Sequence, residues 1–256
     1  EMYRDNPKYR FRVIPALDDN GNSNFDYPYE LGFTTEHFLD IKKSVDAASW
    51  SSKYMGNPSP REGLLYPEED LKYYNGTLPD GNYIVWSACD IAWGGGDHLS
   101  QGFLYVFENG DVYVHDVVHN PGDKGITKPL VVAKMIEHQP AFTCFEANNG
   151  GHEYADDIER ILRTEHGVRL KIESRKAPTT SSKLVRMLGG AVIARNWYFR
   201  DRSCRNDEYK LFMRHLTQFN QAGIGKQPDD APDMLSQAER FIFHGATKVE
   251  VFQRPI

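Results

Sequence analysis

Five acids in this chain stand where an acid needs a reason. Asp90 ends the apolar run Tyr83–Cys89 (YIVWSAC), Glu146 ends a second run, Ala141–Phe145 (AFTCF), and Asp229, Asp230 and Asp233 cluster near the start of the last helical pattern. Asp is depleted in buried strands and is rarely enclosed unless it is paired or binds a metal. Strand ends and a helix start can meet in one cleft. Carboxylates gathered there, without His or Cys partners, suit Mg2+ or Mn2+ rather than zinc. Two such ions can activate a water and stabilise the leaving oxygen of a phosphodiester. The expected ligand and catalytic set is therefore Asp90, Glu146, Asp230 and Asp233, with Asp90 bridging.

Each residue also has a plainer reading. Asp90 could cap the Gly94–Gly96 turn, Asp230 and Asp233 could serve as helix caps, and Glu146 could be a strand-end acid before Asn148–Gly151. The shared placement of the acids favours a site. Asp97 reads as a turn residue, and His98, His119 and His152 read as surface or core residues. The chain has no G-x-x-x-x-G-K-[ST], H-E-x-x-H or G-x-S-x-G motif, so the glycine triplet is expected to turn the chain rather than cradle a phosphate.

The elements that must position these acids follow from the apolar pattern. Tyr83–Cys89, Gly102–Glu108 and Asp111–Val118 read as three antiparallel strands, with Asn109-Gly110 as the hairpin between the last two. A helix is expected over 129–138, a strand over 141–146, a helix over 152–166 closed by Gly167, and a strand over 168–173. Thr180–Leu188 reads as helix, Ala191–Phe199 as β-rich, and Asp207–Phe219 and the segment from Asp229 to Ile242 as amphipathic helices. Such an order implies an α/β mixed sheet with helices on its faces. Residues 1–80 have turn clusters and one expected helix, 35–50. They read as an extended connector ahead of a domain over 81–256.

Composition narrows the class. The 256 residues are 40% hydrophobic and 26% charged, as in globular proteins, and no apolar run approaches the ~18 residues that span a bilayer. Three widely spaced cysteines argue for a reducing compartment and against a disulfide frame or zinc site. The net charge of −6 argues against coating nucleic acid by bulk charge. Yet Arg169–Arg205 carries ten Lys or Arg against Glu173 and Asp201, an excess that would suit a phosphate-tracking surface or a solvated face.

The motifs SACDIAWGGGD, FEANNGG and KQPDDAPDML, in that order, resemble those of the C-terminal nuclease half of the large terminase subunit of tailed bacteriophages. The upstream WSSKYMGNPSPREGLLYPEEDLKYY is similar to the stretch joining the motor and nuclease halves, so the resemblance covers about Trp50–Phe243. It implies an RNase H-like fold, two Mg2+ or Mn2+ ions, and endonuclease cutting of double-stranded DNA during genome packaging. It also implies a position in the host cytoplasm and, as partners, the ATPase half, the small terminase subunit and the portal protein, with no membrane. Asp90 matches the first acid, Glu146 the middle acid, and Asp230 or Asp233 the last. Many relatives carry His before the double Asp where this chain has Pro228, which leaves Asp229, Asp230 and Asp233 as candidates. In that frame Lys183, Arg186, Arg175 and Lys176 would hold the DNA backbone. Residues 1–80 would be a remnant linker of an excised domain. A resolvase or transposase of the same fold, or a docking module of the packaging motor, are the alternatives.

Overall fold

The computed structural model describes residues 13–29, 31–45, 50–56, 63–91, 97–147, 151–223 and 227–244. The chain divides into two compact units, Glu1–Glu62 and Gly63–Ile256. In the first, β1 (Asp26–Tyr27) and β2 (Leu31–Gly32) pair antiparallel, and α1 (Thr35–Ser44) follows. The Thr34 hydroxyl accepts the His37 N–H at 3.3 Å and caps this helix. Phe38 and Trp50 pack with Ala16 and Leu17 into a small core. The helix ends at Ser44 and a π-helical turn covers Trp50–Tyr54; residues 46–49 of the expected longer helix lie outside the described residues.

The second unit is built on one sheet of seven strands. They are β3 (Lys72–Tyr74), β4 (Tyr83–Asp90), β5 (Leu99–Phe107), β6 (Val112–Asn120), β7 (Phe142–Glu146), β8 (Ile172–Arg175) and β9 (Tyr198–Arg200). Their order across the sheet is β3-β9-β6-β5-β4-β7-β8. The strands β4, β5 and β6 are antiparallel neighbours, and the other pairings are parallel. This is the mixed sheet expected from the pattern, with β3 added at one edge. Residues 63–80, read as connector, thus contribute a strand here.

Helices cover both faces. Phe103, Val118 and Phe145 pack under α2 (Lys124–His138) and α3 (Gly151–Glu165). Ala88, Leu104, Val114 and Phe199 pack under α4 (Lys183–Ala194), α5 (Asp207–Gln218) and α6 (Asp230–His244). Side chains alternate along a strand. Ala88 lies on the α6 face and Cys89 on the other, so Asp90 returns to the α6 face. By the same count Phe145 faces α3 and Glu146 faces α6. The sequence pattern therefore aims both strand-end acids at one helix.

Some boundaries differ from expectation for physical reasons. Asp123 accepts from Gly125 N and Ile126 N, so α2 begins at Lys124 and carries Pro129 inside it. Gly189 and Gly190 do not stop α4, which runs to Ala194; the β-rich reading of Ala191–Phe199 holds only from Tyr198. A Cβ on Gly190 would lie 2.8 Å from Ser236 Cα, so this glycine lets α4 and α6 approach closely. Gly167, with φ of 69°, follows α3 as expected, but β8 starts at Ile172 rather than 168. The last helix matches its expected start at the acids.

Candidate active site

The head of α6 is acidic, apolar-packed and buried. Asp230, Asp233, Gln237 and Glu239 are at most 7% exposed. Enclosing even one ionised carboxylate costs several kcal/mol unless it is paired, so a helix start carrying several requires compensation. Part of it is Lys183, from the first turn of α4, whose Nζ lies 2.8 Å from Asp229 Oδ1 and 3.2 Å from Asp233 Oδ2. Burial works against the Lys183 charge, but Asp233, Asp229 and Asp90 outweigh it and hold its pKa above the ordinary lysine value.

Asp90 stands at the end of β4 with Ser100 opposite it on β5. Burial first, then the charges of Asp233 and Glu146, push its pKa well above the usual carboxylate range, against the pull of Lys183. Glu146 ends β7, the parallel neighbour of β4. The Gln237 amide, oriented to satisfy both its ends, donates to Cys89 O at 3.3 Å and accepts from Glu146 N at 3.1 Å. One residue of α6, a turn beyond Asp233, thereby holds both acid-bearing strands.

Asp230 is arranged differently. Its Oδ2 accepts the His98 N–H at 3.1 Å and lies 3.9 Å from His98 Nδ1. Burial raises its pKa to about 6, opposed by the His98 N–H and by Lys183. Asp233 Oδ1, by contrast, is buried without a hydrogen-bond partner. A buried carboxylate oxygen with no donor, set among like charges, is suited to a cation. The donor set of Asp90, Glu146 and Asp233, all oxygen, fits a hard divalent ion.

Beside Glu146 opens a cavity of about 390 Å³, lined among others by Arg175, Lys176, Gln237, Arg240 and Phe241. Of the four basic residues expected to meet DNA, Arg175 and Lys176 line this cavity. The Arg175 guanidinium donates to Glu173 Oε2 at 2.7 Å and lies 4.9 Å from the Phe241 ring centre. Arg186 NH1 donates to Ser181 O and Pro178 O. Lys183 is drawn into the acids. Arg240, which the sequence reading passed over, has a buried NH1 without a hydrogen-bond partner and feels Asp233 and Glu146. Gln237 and Arg240 fall four and seven residues after Asp233, the helical spacing that could have singled them out.

The segment 92–96 with the glycine triplet lies outside the described residues, as does 148–150. Asp97 is exposed and His152 is exposed on α3. His98 and His119, read from the sequence as surface or core residues, stack on one another with ring centres 4.9 Å apart, and His215 joins them. Their separation in sequence gives no local signal of this meeting. No helix among the described residues is long and apolar enough to cross a membrane.

No family model matches the chain, and no curated protein does. Among solved structures it is similar to the nuclease domain of the large terminase subunit of bacterial virus Sf6, with 11% identity and a TM-score of 0.48 over 71% of this chain and 98% of that one. It is also similar to the large terminase nuclease domain of P22 (14% identity, TM-score 0.46, 69% and 90%). A third is the large terminase of a thermophilic bacteriophage in complex with ADP (15% identity, TM-score 0.47, 83% and 53%). The chain spans about half the length of that thermophilic phage protein.

Proposed function

We propose that this chain is a divalent-metal-dependent nuclease that hydrolyses phosphodiester bonds of double-stranded DNA, within a phage genome-packaging terminase. The observation that carries the reading is that Asp90 and Glu146 end adjacent parallel strands and that the charges of Glu146 and of the buried Asp233 of α6 act on Asp90 and help raise its pKa. So much negative charge, partly offset by Lys183, is a poor way to stabilise a fold and a good way to bind cations.

Asp90, Glu146 and Asp233 would hold Mg2+ or Mn2+, with Asp230 at the margin. Two such ions, when bound, supply an activated water and stabilise the leaving oxygen. The chain's own residues prepare the site. Lys183 fixes the rotamers of Asp229 and Asp233, and Gln237 sets the spacing of the strand ends. Arg175, Lys176 and Arg240, along the cavity beside Glu146, would position the phosphate backbone without reading bases. Lys183 serves the acids first; Arg186, on the same helix, would reach DNA only by leaving its carbonyl partners.

In this frame the ATPase half, the small terminase subunit and the portal protein are the partners, the host cytoplasm is the setting, and the first unit, Glu1–Glu62, is the link to the motor. The test is nicking of supercoiled plasmid with Mn2+, Mg2+ or chelator. Metal-dependent cutting that disappears in Asp90→Asn, with the fold intact by circular dichroism, is the expected result. Cutting that survives chelator, or survives Asp90→Asn, overturns the reading.

A further inference from the structure

Three imidazoles meet behind the acidic head of α6. His119, near the end of β6, is 1% exposed and sits opposite Ser100 of β5 in the sheet register. Its Nδ1 lies 3.2 Å from Ser100 Oγ, and its Nε2 lies 2.9 Å from Nδ1 of His215 on α5. His98, just before β5, stacks on His119 at an interplanar angle of 13° and meets His215 edge-on at 88°. One ring nitrogen of each of the three lies within 4.8 Å of the others.

We propose that His98, His119 and His215 form a second cation site, for zinc or a similar transition dication, distinct from the carboxylate centre. Zinc takes imidazole nitrogens at about 2.0–2.1 Å in a tetrahedron, which sets neighbouring ligand atoms about 3.3 Å apart. The 2.9 Å approach of His119 to His215 needs only a few tenths of an ångström of opening to meet that spacing. Ser100 offers the outer contact that metal-bound histidines use: in the tautomer whose Nδ1–H donates to its hydroxyl oxygen, Nε2 of His119 is the lone-pair nitrogen, 2.9 Å from Nδ1 of His215. The ligand chemistry also separates the two centres. Neutral nitrogen donors favour zinc, cobalt or nickel, whereas the carboxylates favour magnesium or manganese. Asp230 Oδ2, 3.9 Å from His98 Nδ1, places a negative charge beside the site.

A dication here ties the start of β5, the end of β6 and α5 together. It also steadies His98, whose N–H holds Asp230 at the head of α6. The proposal stands on the histidines alone and does not depend on the nuclease reading.

The test loads the chelator-stripped chain with Co2+ and then with Zn2+, reading bound metal after dialysis and the visible absorption of Co2+. The expected result is about one Co2+ with the intense visible bands of a tetrahedral site, displaced by Zn2+ and indifferent to excess Mg2+. The bands should persist in an Asp90→Asn/Asp233→Asn variant and weaken at least tenfold in affinity in His215→Gln. His98→Gln and His215→Gln, both at partly exposed positions, carry the test should His119→Gln fail to fold. Absence of the bands, their loss in the Asp90→Asn/Asp233→Asn variant, or unchanged affinity in a folded His215→Gln overturns the proposal.

Discussion

Asp230 Oδ2 accepts the backbone N–H of His98 at 3.1 Å, so the two acids three residues apart at the head of α6 are held by different partners. Lys183 reaches Asp229 and Asp233, and Asp233 keeps one oxygen unclaimed. The two acids should therefore differ in what they contribute.

Asp233→Asn is expected to remove plasmid nicking to background. Asp230→Asn, which disturbs an outer contact, should reduce it by about 10- to 100-fold. Initial nicking rates at saturating Mn2+ measure both, and equal losses would refute the assignment of Asp233 as the third acid.

The glycine pair in α4 offers a second contrast. Gly190→Ala forces a Cβ to within 2.8 Å of the Ser236 backbone and should destabilise the fold by about 1–3 kcal/mol. At Gly189 an added Cβ meets nothing within 4 Å, so Gly189→Ala should stabilise by up to about 1 kcal/mol through helix propensity. Urea midpoints at constant m-value decide between these signs.

His115 predicts how stability responds to acid. Burial first, then the charges of Arg200 and His138, lowers its pKa to about 4, and its Nδ1 lies 2.8 Å from the Tyr74 hydroxyl. Because the folded value is depressed, the unfolded chain takes up the proton first as pH falls. The contribution is complete above about pH 6.5 and is lost as pH drops towards 4. Thermal midpoints should fall over that interval, and His115→Gln should make the fall shallower. An unchanged slope in a folded variant contradicts this account.

Lys176 lines the cavity beside Glu146 and belongs to the basic run. If it neutralises one phosphate, Lys176→Gln should weaken DNA binding alike for unrelated sequences and reduce the slope of log K against log salt by about 0.9. Measured in an Asp90→Asn background to prevent cutting, an unaltered slope would place the DNA elsewhere.

The legible parts of this molecule were those whose cause is local. Asp90 and Glu146 followed apolar runs of strand length, Asn109-Gly110 marked its hairpin, and the acids and Pro232 marked the start of α6. β3 escaped notice because Lys72–Tyr74 is a three-residue edge strand with no apolar alternation. The continuation of α4 through Gly189-Gly190 was hidden because a glycine that permits close packing looks, in sequence, like one that ends a helix. Lys183 read as a DNA contact within a basic run. Its ion pairs lie 46 and 50 residues away, beyond any local pattern. The histidine cluster was obscure for the same reason.

Both strand-end acids belong to the paired ladder itself, Asp90 opposite Ser100 and Glu146 opposite Arg175. The two carboxylates are thus borne by residues whose backbone the sheet already fixes. A change that keeps β4 paired with β5 and β7 paired with β8 therefore keeps both carboxylates where they are, whatever side chains surround them.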